Sequence, residues 1–143
     1  MEKKKIRVLI VEDEKDDALA ILEIIREMLK SLSLEGEFCR MAKYEEAKSK
    51  LESEKYDLIS LDGVLGNHQP TYPLIKTILE FNPEATAFSL SSGYGQVQMA
   101  LDAGLYLGFL KRFGFGESII APDDLQKIKE ALKGKVSINN KKI

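Results

Sequence analysis

The sequence predicts an α/β domain in which a parallel five-stranded sheet carries helices on both faces. Two observations point there. The runs Ile6-Arg-Val-Leu-Ile-Val11 and Leu58-Ile-Ser-Leu61 are short and nearly continuous in apolar residues, as strands buried on both faces are. Between such runs the apolar residues recur at helical spacing, so strand and helix alternate five times in strict succession, which implies right-handed crossovers. With 143 residues there is one domain's worth of chain, with a core over about 6–132 and a polar tail over 133–143.

The first strand, residues 6–11, is β-branched and bounded by charge, and it ends in Glu12-Asp-Glu14. From Asp16 the period becomes helical: Leu19, Leu22, Ile25, Met28, Leu29 and Leu32 share a face, and Asp16 or Asp17 is placed to cap and complement the N-terminus. Ser33-Leu-Glu-Gly36 breaks this helix. Residues 38–41 form a second strand, interrupted by Arg40 and therefore expected at a sheet edge, with Cys39 as a small core residue there. A second helix spans 44–55, with Tyr44, Ala47 and Leu51 on one face. The third strand ends at Asp62, and Gly63 and Gly66 stop it.

A polar loop over 66–73 follows, holding His68, the only histidine, as a solvated residue. The third helix starts near Pro73, carries Leu74, Ile75, Ile78 and Leu79, and stops at Asn82-Pro83. Residues 86–90 make a fourth strand leading into Ser91-Ser-Gly-Tyr-Gly95. A short helix through Met99, Ala100 and Leu101 closes at Ala103-Gly104, and residues 107–110 make a fifth strand with Lys111 at its end. The last helix begins at Ala121-Pro-Asp-Asp124 and carries Leu125, Ile128 and Leu132, with acids at its start and Lys133 at its end.

Composition narrows the function classes. The chain is 44% hydrophobic and 31% charged with a net charge of -2, so neither sign dominates and no electrostatic case exists for nucleic acid or an anionic membrane. Lys3 to Lys5 and Lys141-Lys142 read as solvated ends. A single cysteine excludes an internal disulfide and fits a reducing compartment. No signal-peptide pattern or membrane-length apolar run is present. A cytoplasmic protein is expected.

Strand tips of an open parallel sheet share one edge, where ligands collect. Here they hold Glu12 and Asp13, Asp62, Ser91 and Ser92, and Lys111. Three carboxylates converging with one lysine make a hard, oxygen-rich site suited to Mg²⁺. A hydroxyl and an ammonium beside a metal-bound carboxylate can hold the non-reacting oxygens of a phosphoryl group. Glu14 and Asp16 are helix-start acids rather than ligands.

In these residues the chain resembles the receiver domain of two-component response regulators, over about 6–132. The matching features are the acid pair after Ile-Val, the Asp62-Gly-Val-Leu-Gly66 segment, the strand-four hydroxyl, and Ala103-Gly104 ahead of Lys111. The resemblance implies a doubly wound, flavodoxin-like (βα)5 fold with strand order 2-1-3-4-5. It implies that Asp62 accepts a phosphoryl group from a sensor histidine kinase, a histidine phosphotransfer protein or a small phosphodonor. By the same resemblance Asp13, Asp62, the Val64 backbone carbonyl and Glu12, the last through water, hold Mg²⁺. Lys111 and the hydroxyl of Ser91, or alternatively Ser92, bond the phosphoryl oxygens. The protein would be a stand-alone switch or phosphorelay component, not an enzyme on other substrates, with a downstream protein target.

Several positions depart from the pattern. Arg112 follows the lysine where a proline is usual, so no cis peptide is expected there; Gly108 stands in place of the usual aromatic, with Phe109 facing the opposite side. Gly66 replaces a common proline, the loop after it is longer, and helix four is two or three residues short. These departures favour an alternative, a receiver-like interaction module that is never phosphorylated. A remote alternative follows from Leu61-Asp-Gly-Val-Leu65, which looks like part of the nucleophile motif of haloacid-dehalogenase-type phosphatases. That motif needs an aspartate two residues earlier, where this chain has Ser60.

Overall fold

The protein is represented by a computed structural model that describes residues 3–141. Strands β1 (Lys4–Val11), β2 (Leu34–Met41) and β3 (Leu58–Asp62) alternate with helices α1 (Lys15–Ser31) and α2 (Tyr44–Ser53). Two-residue strands β4 (Val64–Leu65) and β5 (Gln69–Pro70) precede α3 (Leu74–Phe81). The order continues with β6 (Thr86–Ser91), α4 (Tyr94–Asp102), β7 (Leu107–Leu110) and α5 (Pro122–Lys141). The main sheet is parallel throughout, in the order β2-β1-β3-β6-β7, which is the predicted 2-1-3-4-5 once the small β4–β5 pair is set aside.

Strand periodicity divides the core in two. Ile6, Val8 and Ile10 of β1, with Leu58, Phe88 and Phe109, pack under α1 and α5 against Ile21, Ile25, Ile128 and Leu132. Leu9, Val11, Ile59 and Leu61 face the other way, toward Leu51, Leu74, Ile75 and Ala100 of α2, α3 and α4. A central strand covered on both faces is apolar at nearly every position of its buried span, as residues 8–11 and 58–61 are apart from Ser60. Asn82, 2% exposed, closes the end opposite the strand tips. It accepts the Tyr56 N–H at 2.7 Å and donates to the carbonyls of Leu51 and Glu54 at 2.9 and 3.1 Å.

Four sequence expectations change. β2 begins at Leu34 rather than residue 38, because a single left-handed residue, Ser33 (φ 57°), turns the chain at once. Leu19 is 56% exposed and lies outside the buried face of α1, and no side chain caps that helix; Glu14 occupies the cap position while Asp16 and Asp17 sit in the first turn. The polar loop after Asp62 contains an antiparallel hairpin, Val64 opposite Pro70 and Leu65 opposite Gln69, turned by Asn67 and His68 at φ 63° and 58°. Consecutive left-handed residues match the twist of a two-stranded ribbon, and asparagine tolerates that conformation best among non-glycine residues. Finally, α5 continues to Lys141, through much of the segment read as a polar tail; Lys142 and Ile143 lie outside the described residues, as do Met1 and Glu2.

Candidate functional site

Parallel pairing brings the site together. The Glu12 amide donates to the Met41 carbonyl at 3.1 Å, and the Lys111 amide donates to the Ser91 carbonyl at 2.8 Å, so hydrogen bonding persists beyond the strands to the tips themselves. Glu12 and Asp62 are 1% and 7% exposed, while Asp13 is partly open to solvent. One carboxylate oxygen from each of Glu12, Asp13 and Asp62 lies within 4.8 Å of the other two. Lys111, its side chain 5% exposed, sets its ammonium 2.8 Å from Glu12 Oε2, 3.2 Å from Asp17 Oδ2 and 3.4 Å from Asp62 Oδ1.

Burial dominates the electrostatics. It pushes Glu12 up to about 7, against the hydrogen bond to Lys111 and with added repulsion from Asp62. Burial also raises Asp62, against the pull of Lys111. On its own, burial would lower Lys111; hydrogen bonding to Glu12 and the charges of Asp62 and Glu12 outweigh it and hold the lysine above its ordinary value. Three carboxylates contact the one ammonium and a fourth, Asp13, lies beside two of them, so the site is short of positive charge. A hard divalent cation with oxygen donors fits that deficit, and the residues present match what Mg²⁺ takes.

Backbone geometry around the acids is tightly held. The Thr71 hydroxyl donates to the Asp62 carbonyl, and the Thr71 amide donates to the Gly63 carbonyl at 3.1 Å, so the hairpin's exit pins the residue at the strand tip. A Cβ on Gly63 would lie 2.5 Å from Ser91 Oγ, so only glycine admits this approach of β6 to β3. Val64 starts the hairpin. A Cβ on Gly66 would meet Asp13 Oδ2 at 3.8 Å, which places the hairpin beside the acidic cluster. Ser91 is buried at the end of β6, its hydroxyl accepting the Gly93 N–H at 3.3 Å, whereas Ser92 is exposed.

Two residues join the site that the sequence did not single out for it. In the sequence Asp17 reads as a helix-start acid, yet it reaches Lys111 at 3.2 Å. In the sequence Arg40 reads as an interruption of the edge strand, yet it donates to the carbonyls of Glu12 and Asp13 at 3.0 and 2.8 Å. Its position on the edge strand directly beside β1, with Ile10 opposite Arg40, was the available signal. His68 is exposed in the hairpin turn and contributes no atom to the acidic group. Arg112 turns into its own loop, pairing with Glu117 at 3.0 Å and donating to the Ser118 carbonyl at 3.1 Å.

The departures at β7 have a packing cause. A Cβ on Gly108 would meet Val97 Cγ1 at 2.9 Å, so α4 fills the space that an aromatic side chain would need. Phe109 points to the opposite face, its ring centroid 6.3 Å from that of Phe88. No cis peptide occurs among the described residues.

Comparison with solved structures places this architecture. The chain is similar to a CheY-like response regulator receiver domain protein from Methanospirillum hungatei, with 24% identity and a TM-score of 0.65 over 95% of this chain and 98% of that one. It is similar to the receiver domain of a sensor histidine kinase from Pseudomonas aeruginosa, solved with a magnesium ion coordinated in its active-site cleft. There the identity is 23% and the TM-score 0.64, over 91% and 98% of the two chains. The BeF3-activated receiver domain DrrB matches at 22% identity and a TM-score of 0.64, over 90% and 98%. No protein-family model and no curated protein matches the chain. The likeness to solved structures establishes the receiver fold.

Proposed function

We propose that this chain, built on the receiver fold, is a phosphorylation-dependent signalling switch that accepts a phosphoryl group on Asp62. The observation that carries the proposal is the meeting of Glu12, Asp13 and Asp62 within 4.8 Å with Lys111 set against the cluster. In the reaction an Asp62 carboxylate oxygen attacks the phosphorus of a phosphohistidine on a kinase or phosphotransfer protein. The new O–P bond forms as the P–N bond breaks, and the imidazole nitrogen keeps the electron pair and takes a proton. Lys111 neutralises a phosphoryl oxygen, and the Ser91 hydroxyl, the buried one of the two serines, bonds another. Arg40 and Thr71 hold the backbone that aims the acids.

Asp13 and Asp62, with the Val64 carbonyl and Glu12, would hold Mg²⁺, which supplies charge neutralisation to the phosphoryl transition state. The kinase and the downstream protein target are partners of the kind the fold implies. Among the described residues no helix is long and apolar enough to cross a membrane.

A second reading, a receiver-like interaction module that is never phosphorylated, is favoured by Gly108, since β7 carries no aromatic to reorient against α4. Incubation with Mg²⁺ and acetyl phosphate or phosphoramidate, followed by intact-mass measurement, separates the two. Wild type is expected to gain one phosphoryl group and Asp62→Asn none. Unmodified wild type across these donors would favour the interaction module.

A further inference from the structure

Lys111 is held by three carboxylates, and one of them, Asp17, comes from the first turn of α1 rather than from a strand tip. Carboxylate oxygens of Glu12, Asp17 and Asp62 lie 2.8, 3.2 and 3.4 Å from the ammonium, and the contact to Asp17 is the one with hydrogen-bond geometry. A phosphoryl group on Asp62 brings new acceptor oxygens and more negative charge to the same place. Those oxygens compete with Asp17 for the Lys111 ammonium. Glu12 makes the shortest contact, is 1% exposed in its side chain and has no hydrogen-bond partner at Oε2 among the described residues, so losing the lysine would leave that oxygen without its counter-charge. The Asp17 side chain is 23% exposed, and water can take over its hydrogen bond.

We infer that Asp17 is a positioning residue that parks the Lys111 ammonium in the unmodified protein and yields it when Asp62 carries a phosphoryl group. The inference rests on the reading of Asp62 as phosphoacceptor. Two effects act in one direction: Asp17 competes for the lysine, and its charge opposes an incoming anion. The unmodified state is therefore favoured by a residue outside the acidic cluster. Loss of the Asp17–Lys111 pair would reach the N-terminal turn of α1, on the side of the sheet opposite Gly108 and α4.

The test is titration of beryllofluoride, as the phosphoryl probe, into Mg²⁺-loaded protein, followed by NMR, for wild type, Asp17→Asn, Asp17→Glu and Asp62→Asn. Asp17→Asn is expected to bind roughly three- to tenfold more tightly than wild type, from loss of one charge-assisted hydrogen bond in the unbound state. Asp17→Glu, which restores the charge, is expected to return toward wild type. Asp17→Ala serves if the asparagine variant fails to fold, as judged by its melting curve. A purely structural aspartate would lower stability without tightening anion binding, so equal or weaker binding by Asp17→Asn overturns the inference while leaving the function of Asp62 standing. Wild type that forms no beryllofluoride complex overturns the functional reading and this inference together.

Discussion

Lys111 holds the charges of the site in balance. Its neighbours Glu12 and Asp62 are buried, and burial already raises each above its own ordinary value despite the lysine. Removing one partner of a buried ion pair leaves an uncompensated charge in a low-dielectric place, and that is costlier than the pair itself is favourable. Lys111→Met is therefore expected to destabilise the metal-free protein by about 3 kcal/mol in denaturant unfolding. Added Mg²⁺ should recover part of the loss, because a second cation then serves the same carboxylates. A variant as stable as wild type without Mg²⁺ would show that the acids are not charged together in the native state.

Among the elements, the ends of α2 and α3 and the start of β3 share one fastener. Asn82 directs three side-chain hydrogen bonds at backbone: one N–H accepted from Tyr56 and two carbonyls served, at Leu51 and Glu54. Asn82→Ala would orphan these groups where water is excluded, and about 2–4 kcal/mol of stability should go with them, measured by urea unfolding. On the proposed function, phosphoryl uptake at Asp62 should match that of wild type in this variant below its melting temperature, since the strand tips lie at the far end of the sheet.

This fastener also marks where the sequence is legible and where it is not. Residues 82–83 are readable as a helix stop, because asparagine before proline ends a helix. That Asn82 binds two other elements depends on which ends the crossovers bring together. Asp17 and Arg40 are the same kind of case: a charge on a helix start or an edge strand looks solvated until the neighbouring strand is known. The strand tips were legible because parallel order alone places Glu12, Asp13, Asp62, Ser91 and Lys111 on one edge. The hairpin of Val64–Leu65 with Gln69–Pro70 was not, since strands of two residues leave no periodic signal.

Over the whole molecule, the two-sided core sets a gradient of local stability. β1 and β3 are covered on both faces, with Val8, Leu9, Val11, Leu58 and Ile59 at zero exposure. The hairpin turn at Gly66–His68 and the loop over residues 113–117 are largely exposed, with Phe113 and Phe115 at 67% and 108%. Amide hydrogen exchange is expected to be slowest at residues 8–11 and 58–61, with opening energies near that of global unfolding, and fastest in the turn and the loop. Protection in the hairpin equal to that of β1 would contradict this order.

The site also has a history written into its chain order. Glu12, Asp13, Asp17 and Asp62 all precede Lys111, so a ribosome delivers four acids before it delivers their cation. Burying Glu12 and Asp62 together before β7 docks beside β6 would leave both without their counter-charge, which is costly. The lysine comes last of the five in the chain, and its arrival with β7 completes the set of charges at the strand tips.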